Sequence, residues 1–211
     1  MILKIIFVLS FIGLVCNENV PSESYENSLT VFEDDPDKLK LFWKQLENNE
    51  IQFEIFCQTT GWVGFGLSPE KDMLGDLAIG WVDNNGNPFL EDTHAERKKR
   101  PLIDIKQDWK IISAREYQGH TTIKFSRKLD TSDVDDMVID EKTQFLLFAW
   151  NDVDPLPNTG NWSYHGRNNR IVKIQKLINS DDGSNSANGL RNPLSFTILL
   201  VFIAVASKIF N

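Results

Sequence analysis

The sequence predicts an all-β protein, an antiparallel β-sandwich of immunoglobulin-like architecture. Apolar and polar residues alternate in short runs such as residues 51–59, and this period of two is typical of half-buried strands. Turn-forming residues separate the runs, and no segment has the 3.6-residue period of an amphipathic helix. About nine short strands at this spacing favour two packed antiparallel sheets.

The strands follow from the alternation taken along the chain. Asn84 to Asn87 (NNGN) is a hairpin turn because Asn and Gly accept positive φ values, and Gln118-Gly119-His120 marks a second hairpin. The run at 144–150 (QFLLFAW) is almost continuously apolar, which predicts a strand buried on both faces. Residues 93–106 are predicted to be a loop, and residues 126–140 an acidic connector. The predicted strands are 29–33, 38–44, 51–59, one ending near Leu67, 77–83, 88–92, 109–117, 121–127, 144–150 and 171–178.

The stretch from 59 to 83 (TTGWVGFGLSPEKDMLGDLAIGWVD) organises the rest of the chain. It contains glycines inside strand-like runs, where glycine weakens a strand unless something bulky or another backbone passes close by. The four glycines are Gly61, Gly64, Gly66 and Gly80. Met73 and Asp76 lie in or beside the loop between the two runs, a position where folds commonly display functional groups.

Both ends of the chain carry processing signals. Residues 1–16 are typical of a secretory signal peptide, and residues 17–28 are predicted to be a polar leader with little structure. The domain is then expected over residues 29–178. A polar, small-residue linker (179–193) and an apolar tail (194–211) follow, which is the arrangement of a GPI-attachment signal. A short single-pass membrane anchor is the alternative for the tail. Either type of anchor predicts a protein of the secretory pathway, and hence a glycoprotein, on the extracellular face of the plasma membrane.

Charge, cysteine content and one sequon limit the function further. The net charge of −8 and the absence of a basic stripe with aromatic residues exclude nucleic acid as the predicted partner, and residues 97–100 (RKKR) are expected to lie in a solvated loop. If the signal peptide is removed together with Cys16, Cys57 is the single remaining thiol. Cys57 alternates with apolar residues along its strand, which predicts a buried core position. Asn161 begins an N-glycosylation sequon, Asn-Trp-Ser.

Several segments together resemble the DOMON domain, and within that family the N-terminal domains of the dopamine β-hydroxylase-like copper monooxygenases. The segments are TTGWVGFGLSP, DMLGDLAIGWVD, PFLEDTHA, FSRKLDTSDVDD and YHGRNNR, and the resemblance covers residues 29–177. It implies a β-sandwich. It also implies one of two ligand states, because some DOMON domains are b-type cytochromes and others carry no haem.

In the cytochrome state, the resemblance places Met73 and His165 as the two haem ligands. Met/His is a recognised axial pair, and nearby aromatic residues and glycines would form a flat slot for the macrocycle. The aromatic residues are Trp62, Phe65, Trp81, Phe148 and Trp150. In the alternative, Met73 packs on the surface and His165 hydrogen-bonds in its turn beside Tyr164.

In the haem-free state, Asp76 and Asp92 resemble carboxylates near a proposed metal site, and carboxylate oxygens suit hard cations such as Ca²⁺. Alternatively, Asp76 caps its loop and Asp92 ends a strand. The run Asp130, Asp133, Asp135 and Asp136 is expected to be solvated, since it lacks the spacing of a Ca²⁺ loop. The copper chemistry of the relatives requires more histidines than His94, His120 and His165. Copper is therefore not expected, and the chain is not expected to be an enzyme.

Two functions follow from these expectations. The first is a cell-surface domain that binds haem b for extracellular electron transfer with a redox partner. The second is a haem-free module that binds a carbohydrate or a protein, with Trp62, Trp109 and Trp162 as candidate exposed stacking residues.

Overall fold

A computed structural model describes residues 20–96 and 99–179 of the chain. These residues form two antiparallel sheets, one of five strands in the order β1-β2-β3-β9-β8 and one of six in the order β11-β10-β4-β5-β6-β7. Among the described residues the helical structure is one 3-10 turn, Glu47–Asn49. The predicted sandwich class is confirmed. The strands are β1 (Asn27–Thr30), β2 (Leu39–Leu46), β3 (Glu50–Cys57), β4 (Val63–Ser68), β5 (Gly75–Val82), β6 (Pro88–Ala95), β7 (Leu102–Ile103), β8 (Lys110–Tyr117), β9 (His120–Lys128), β10 (Thr143–Trp150) and β11 (Arg170–Lys176).

Both predicted hairpins are present. The β5–β6 turn places Gly86 at φ +82°, and Asp83 Oδ1 accepts hydrogen bonds from the amides of Asn85 and Asn87 at 2.9 and 2.8 Å. The β8–β9 turn places Gln118 and Gly119 at positive φ, +48° and +81°. Because such turns match the twist of the flanking strands, local chemistry is sufficient to set the register of these pairs.

Aromatic side chains fill the space between the two sheets. Phe53 of β3 packs against Phe65 of β4, with ring centroids 4.9 Å apart, and stacks on Phe125 of β9 at 5.6 Å. Phe65 also contacts Phe148 of β10 at 5.8 Å. Cys57 is fully buried in the same core, so the prediction of a core cysteine is confirmed. Strands from both sheets therefore share one hydrophobic interior.

Two segments differ from the sequence-based expectation. In β10 the buried side chains alternate with half-buried ones, so the strand is not enclosed on both faces as predicted. Its core face carries Leu146 and Phe148, while its other face carries apolar side chains that meet a cleft. Part of the predicted 93–106 loop is strand: β6 continues to Ala95, and β7 pairs with it through Thr93 and His94.

The segment before β1 packs on the outer face of the five-stranded sheet. Ser22 donates its amide and its hydroxyl to the Glu54 carboxylate of β3, at 3.0 and 2.8 Å. Glu23 forms ion pairs with Lys44 and Lys124, and these hydrogen bonds lower the pKa of Glu23 to about 2, with Lys124 contributing most. Residues 20–28 are thus ordered against the sheet, whereas the polar composition predicted a leader with little structure.

The predicted signal peptide (1–16), most of the linker (179–193) and the tail (194–211) lie outside the described residues. Within the described residues, no helix has the length and hydropathy needed to cross a membrane.

Candidate functional site

A cleft of about 880 Å³ lies over the outer face of the six-stranded sheet, within the range of about 300–1,000 Å³ that ligand pockets span. Its floor consists of residues that alternate with core residues along each strand, and so point away from the core. Gly64 occupies this face of β4, and the residues beside it keep the floor apolar. They are Leu77 and Ile79 of β5, Leu147 and Ala149 of β10, and Val172 of β11.

Met73 and His165 both line this cleft, although 92 positions separate them in the sequence. Met73 lies in the β4–β5 loop and is half-buried. His165 lies in the β10–β11 loop. Because β4 and β10 pair antiparallel, these two loops leave opposite ends of the sheet, and residues of both loops line the cleft. The structure thus brings together the two residues predicted as haem ligands.

The imidazole of His165 has a defined hydrogen-bonding arrangement. Its Nδ1 lies 2.5 Å from the carbonyl oxygen of Gly166, and since a carbonyl oxygen only accepts, Nδ1 carries the proton and Nε2 keeps its lone pair. A histidine that ligates a metal commonly donates its other N–H to such a carbonyl. Burial lowers the pKa of His165, and the charge of Arg170 lowers it further, whereas the hydrogen bond to Gly166 acts in the opposite direction. The ring is therefore held neutral, as a ligand must be.

Among the described residues, four cationic side chains line the same cleft, although the protein as a whole is acidic. They are Lys71 from the β4–β5 loop, Lys99 and Arg100 from the segment before β7, and Arg170 from β11. Arg100 donates a hydrogen bond of 2.9 Å to the side-chain oxygen of Asn161. An apolar floor with cations around it suits a flat apolar ligand that carries carboxylates, and haem b is such a ligand.

Several aromatic residues occupy positions other than those predicted. Trp62, Trp109 and Trp162 are only 4, 2 and 6% exposed, so the prediction that they are exposed stacking residues is wrong. Trp62 and Trp162 border the cleft, and Trp62 Nε1 donates to Ser163 O at 3.1 Å. The other residues predicted to form the haem slot fall into two groups. Phe65 and Phe148 border the cleft, whereas Trp81 stacks on Phe89 and Trp150 belongs to the core.

Asp76 is fully buried between the sheets at one end of the sandwich. It accepts hydrogen bonds from Trp109 Nε1 at 2.6 Å and from the Met137 amide at 3.2 Å, and it forms an ion pair with Arg127. The guanidinium of Arg127 also stacks over Trp109, 4.5 Å from the ring centroid. Asp76 therefore binds to groups of distant segments rather than capping its own loop.

Asp92 lies beside Asp76, on the neighbouring strand β6, and Asp136 completes a group whose ligand oxygens lie within 4.8 Å of one another. Asp92 Oδ2 accepts from the amides of Asp108 and Trp109 at 2.7 and 3.1 Å. Within the described residues, Asp92 Oδ1 and Asp136 Oδ2 are buried without a hydrogen-bond partner. Burial raises the pKa of Asp92 to about 7, and the charges of Asp136 and Asp104 add to the effect.

Three oxygens converge here, and a hard cation prefers such ligands. Arg127 already supplies one positive charge, with Nη1 3.9 Å from Asp136 Oδ2. The buried position of Asp136 overturns part of the prediction that the acidic run is solvated, because the connector folds back over this end of the sandwich.

Asn161 is exposed on the cleft rim, which leaves its predicted glycosylation sterically allowed and close to the cleft.

The cationic side chains that line the cleft were not predicted from the sequence. Lys99 and Arg100 are exposed, as predicted for a solvated loop, and they also line the cleft. Their position depends on the pairing of β7 with β6, for which two residues of strand give little local signal. The contact between His94 and Asp104 was not predicted from the sequence either, because these residues meet only when β7 pairs with β6.

These features define a two-sheet β-sandwich with a ligand cleft over the outer face of one sheet. The chain matches the DOMON domain family over residues 34–151, more than half of its length. The protein belongs to the DOMON family.

Curated relatives are longer proteins that contain this domain. MOXD1 homolog 2 of Drosophila melanogaster is 40% identical over 123 residues, covering 56% of this chain and 16% of that protein. DBH-like monooxygenase protein 1 of Homo sapiens is 32% identical over 152 residues, 72% of this chain and 24% of that protein. The chain thus spans a quarter or less of these relatives.

Two solved structures are similar in fold. The cytochrome domain of Myriococcum thermophilum cellobiose dehydrogenase superposes with a TM-score of 0.55 at 15% identity, covering 72% of this chain and 82% of that one. The cytochrome b domain of pyranose dehydrogenase from Coprinopsis cinerea gives 0.54 at 13% identity, over 69 and 80%. At this identity the likeness establishes the fold.

Proposed function

We propose that this DOMON domain binds haem b in the cleft and transfers single electrons on the outer cell surface. The observation that carries the proposal is that Met73 and His165 line one cleft, together with the hydrogen bond from His165 Nδ1 that leaves Nε2 available as a ligand. The two similar structures are a cytochrome b domain and a cytochrome domain, which supports the same ligand class.

Each part of the cleft has a task in this function. The thioether of Met73 and the imidazole of His165 are soft and borderline ligands that suit haem iron. The carbonyl of Gly166 fixes the His165 ring. Lys71, Lys99, Arg100 and Arg170 neutralise the ligand's carboxylates, and the apolar floor excludes water. When bound, haem would supply a one-electron redox couple whose potential a methionine ligand raises.

The location and partners belong to the same proposal. The signal-peptide pattern and the apolar C-terminal pattern support secretion and attachment to the outer membrane surface, by a GPI anchor or a short span. An extracellular reductant or a membrane redox protein is then the partner. The domain carries electrons and catalyses no hydroxylation itself, and copper has no part in its function.

The Asp76–Asp92–Asp136 group is proposed as a second, structural site for a hard cation such as Ca²⁺. The buried oxygens of Asp92 and Asp136 that lack partners within the described residues support it. A cation there would offset the charge that burial disfavours.

A haem-binding titration tests the proposed function. Haem b is added to the haem-free protein, and quenching of tryptophan fluorescence is followed, since Trp62 and Trp162 border the cleft. We expect one haem per chain. We expect His165→Gln and Met73→Ala each to weaken binding on the order of tenfold or more, by analogy with the loss of metal-site residues.

His120→Gln is the matched control, because His120 lies in the β8–β9 hairpin, away from the cleft. Equal affinity of this variant and the wild type is expected. Unchanged haem affinity in both ligand variants would contradict the proposal, and so would the absence of quenching in the wild type.

A further inference from the structure

A second group of metal-binding side chains lies apart from the cleft. His94 of β6, Asp104 after β7 and Asp135 of the acidic connector place one ligand atom each within 4.8 Å of the other two. The group combines one imidazole with two carboxylates, whereas the neighbouring Asp76–Asp92–Asp136 group offers only oxygen. Three separate segments of the chain therefore converge on this point.

Asp104 gives an independent indication of a ligand. The residue is only 6% exposed, and its Oδ1 contacts Nδ1 of His94. Its Oδ2 is buried and has no hydrogen-bond partner among residues 20–96 and 99–179. A buried carboxylate oxygen without a partner is costly, and it is explained when an ion completes its surroundings.

The backbone holds these groups in place before any ion binds. The amide of Asp104 donates to the carbonyl of Asp92 at 3.0 Å. Gln107 Nε2 donates to the carbonyls of Asp92 and Asp104, at 3.0 and 2.9 Å. The Asp104 loop is thus fastened to β6, the strand that carries His94. Such preorganisation reduces the ordering cost of ligand binding.

The group is also accessible to solvent and surrounded by negative charge. Asp135 is exposed and the His94 side chain is 19% exposed, so an ion can enter from solvent. Among the described residues, the carboxylates of Asp104, Asp135 and Glu96 all act on His94. The nearby cation Lys106 is paired with Asp133 at 3.1 Å.

We propose that His94, Asp104 and Asp135 bind one divalent transition-metal ion of the Zn²⁺ type. Zn²⁺ accepts imidazole nitrogen and carboxylate oxygen together, whereas Ca²⁺ and Mg²⁺ select oxygen alone. Three protein ligands leave a coordination position for water or for a group of a partner. The site is independent of haem, since none of its residues lines the cleft.

Calorimetric titration of the full chain with Zn²⁺ tests the proposal. One Zn²⁺ per chain is expected, and His94→Asn and Asp135→Asn should each weaken binding on the order of tenfold or more. Because Asp135 is exposed, Asp135→Asn should leave the melting temperature without metal unchanged. His120→Asn, which removes a histidine elsewhere, should bind as the wild type does. X-ray absorption should find nitrogen and oxygen ligands at about 2.0–2.2 Å.

Three results would overturn the proposal. The first is a wild-type chain that takes up no Zn²⁺. The second is binding that His94→Asn and Asp135→Asn leave unchanged. The third is binding that is lost in His165→Asn but kept in His94→Asn, which would assign the ion to the cleft instead.

Discussion

Arg127 and Asp76 form an ion pair in which both side chains are completely buried between the two sheets. Burial lowers the pKa of Arg127 to about 10, while the charges of Asp136 and Asp130 act in the opposite direction. Trp109 supports both partners, donating to Asp76 and stacking under the guanidinium. The pair joins β5 of one sheet to β9 of the other.

We expect Arg127→Met to reduce the free energy of unfolding by about 3–5 kcal/mol, because it leaves a buried carboxylate without its cation. Urea unfolding measures this change. The double variant Asp76→Asn/Arg127→Met should recover part of the loss, since the charge of the Asp76 carboxylate is then removed together with that of its partner. A single-variant cost below about 1 kcal/mol, the value of an exposed pair, would contradict this account.

Asp92 should make stability depend on pH. Its pKa rises from the ordinary 3.8 to about 7 in the folded protein because it is desolvated, so folding favours its neutral form. This contribution is fully present below pH 3.8 and is lost as the pH rises to about 7. Each pKa unit corresponds to about 1.36 kcal/mol, which limits the effect to about 4 kcal/mol.

The comparison of Asp92→Asn with the wild type isolates this effect. Because the amide cannot ionise, the stability of the variant relative to the wild type should be greater at about pH 8, above this window, than at about pH 5, inside it. Asp34→Asn, which changes an exposed aspartate and leaves Asp92 intact, is the control variant. Urea unfolding at several pH values, without added metal, measures both. A difference for Asp92→Asn that does not vary with pH would contradict the prediction.

Gly64→Val should block the cleft while the fold is kept. A Cβ at Gly64 would lie 3.3 Å from the Trp62 ring and 3.6 Å from the Ala149 carbonyl, so the Trp62 ring must shift slightly to admit the Cβ, and valine suits a strand. The added side chain would enter the cleft above its floor. We expect haem affinity to fall on the order of tenfold.

The fluorescence titration and a thermal melt check this prediction together. Gly86→Val serves as the control, because Gly86 lies in the β5–β6 turn with open space around it. That variant should lose some stability from its positive φ and keep its haem affinity. Full haem affinity in Gly64→Val would exclude the cleft floor as the haem surface.

The Cys57 thiol should be inert in the folded protein. It is fully buried, and burial raises its pKa strongly, with the charge of Asp152 adding to the effect. The thiolate is the reactive form. A thiol reagent should therefore modify Cys57 only at the rate of unfolding, and fast modification under native conditions would contradict its core position.

Local sequence was sufficient to predict both hairpins and most strands of the sandwich, but not β7 or the end of β6. The glycine pattern also predicted close approaches: a Cβ at Gly61 would collide with the backbone of Asn151 and Val153. The period of two does not show which apolar face will be covered, however. In β10 the sequence therefore predicted two buried faces, where the structure places one face on the cleft.

The candidate sites could not be predicted from local sequence patterns alone. Met73 and His165 came from the family resemblance, and the structure then placed both on one cleft. Asp136 was misjudged because the connector containing it returns to Arg127. His94 and Asp104 meet through the β6–β7 pairing, and no spacing in the sequence encodes that contact.

The absorption spectrum of the protein, produced in a haem-supplied eukaryotic host, tests the central claim most directly. The account predicts a Soret band and, after reduction with dithionite, sharp α and β bands of a low-spin haem held by Met73 and His165. A flat visible spectrum from correctly folded protein would contradict it and would favour a haem-free binding domain.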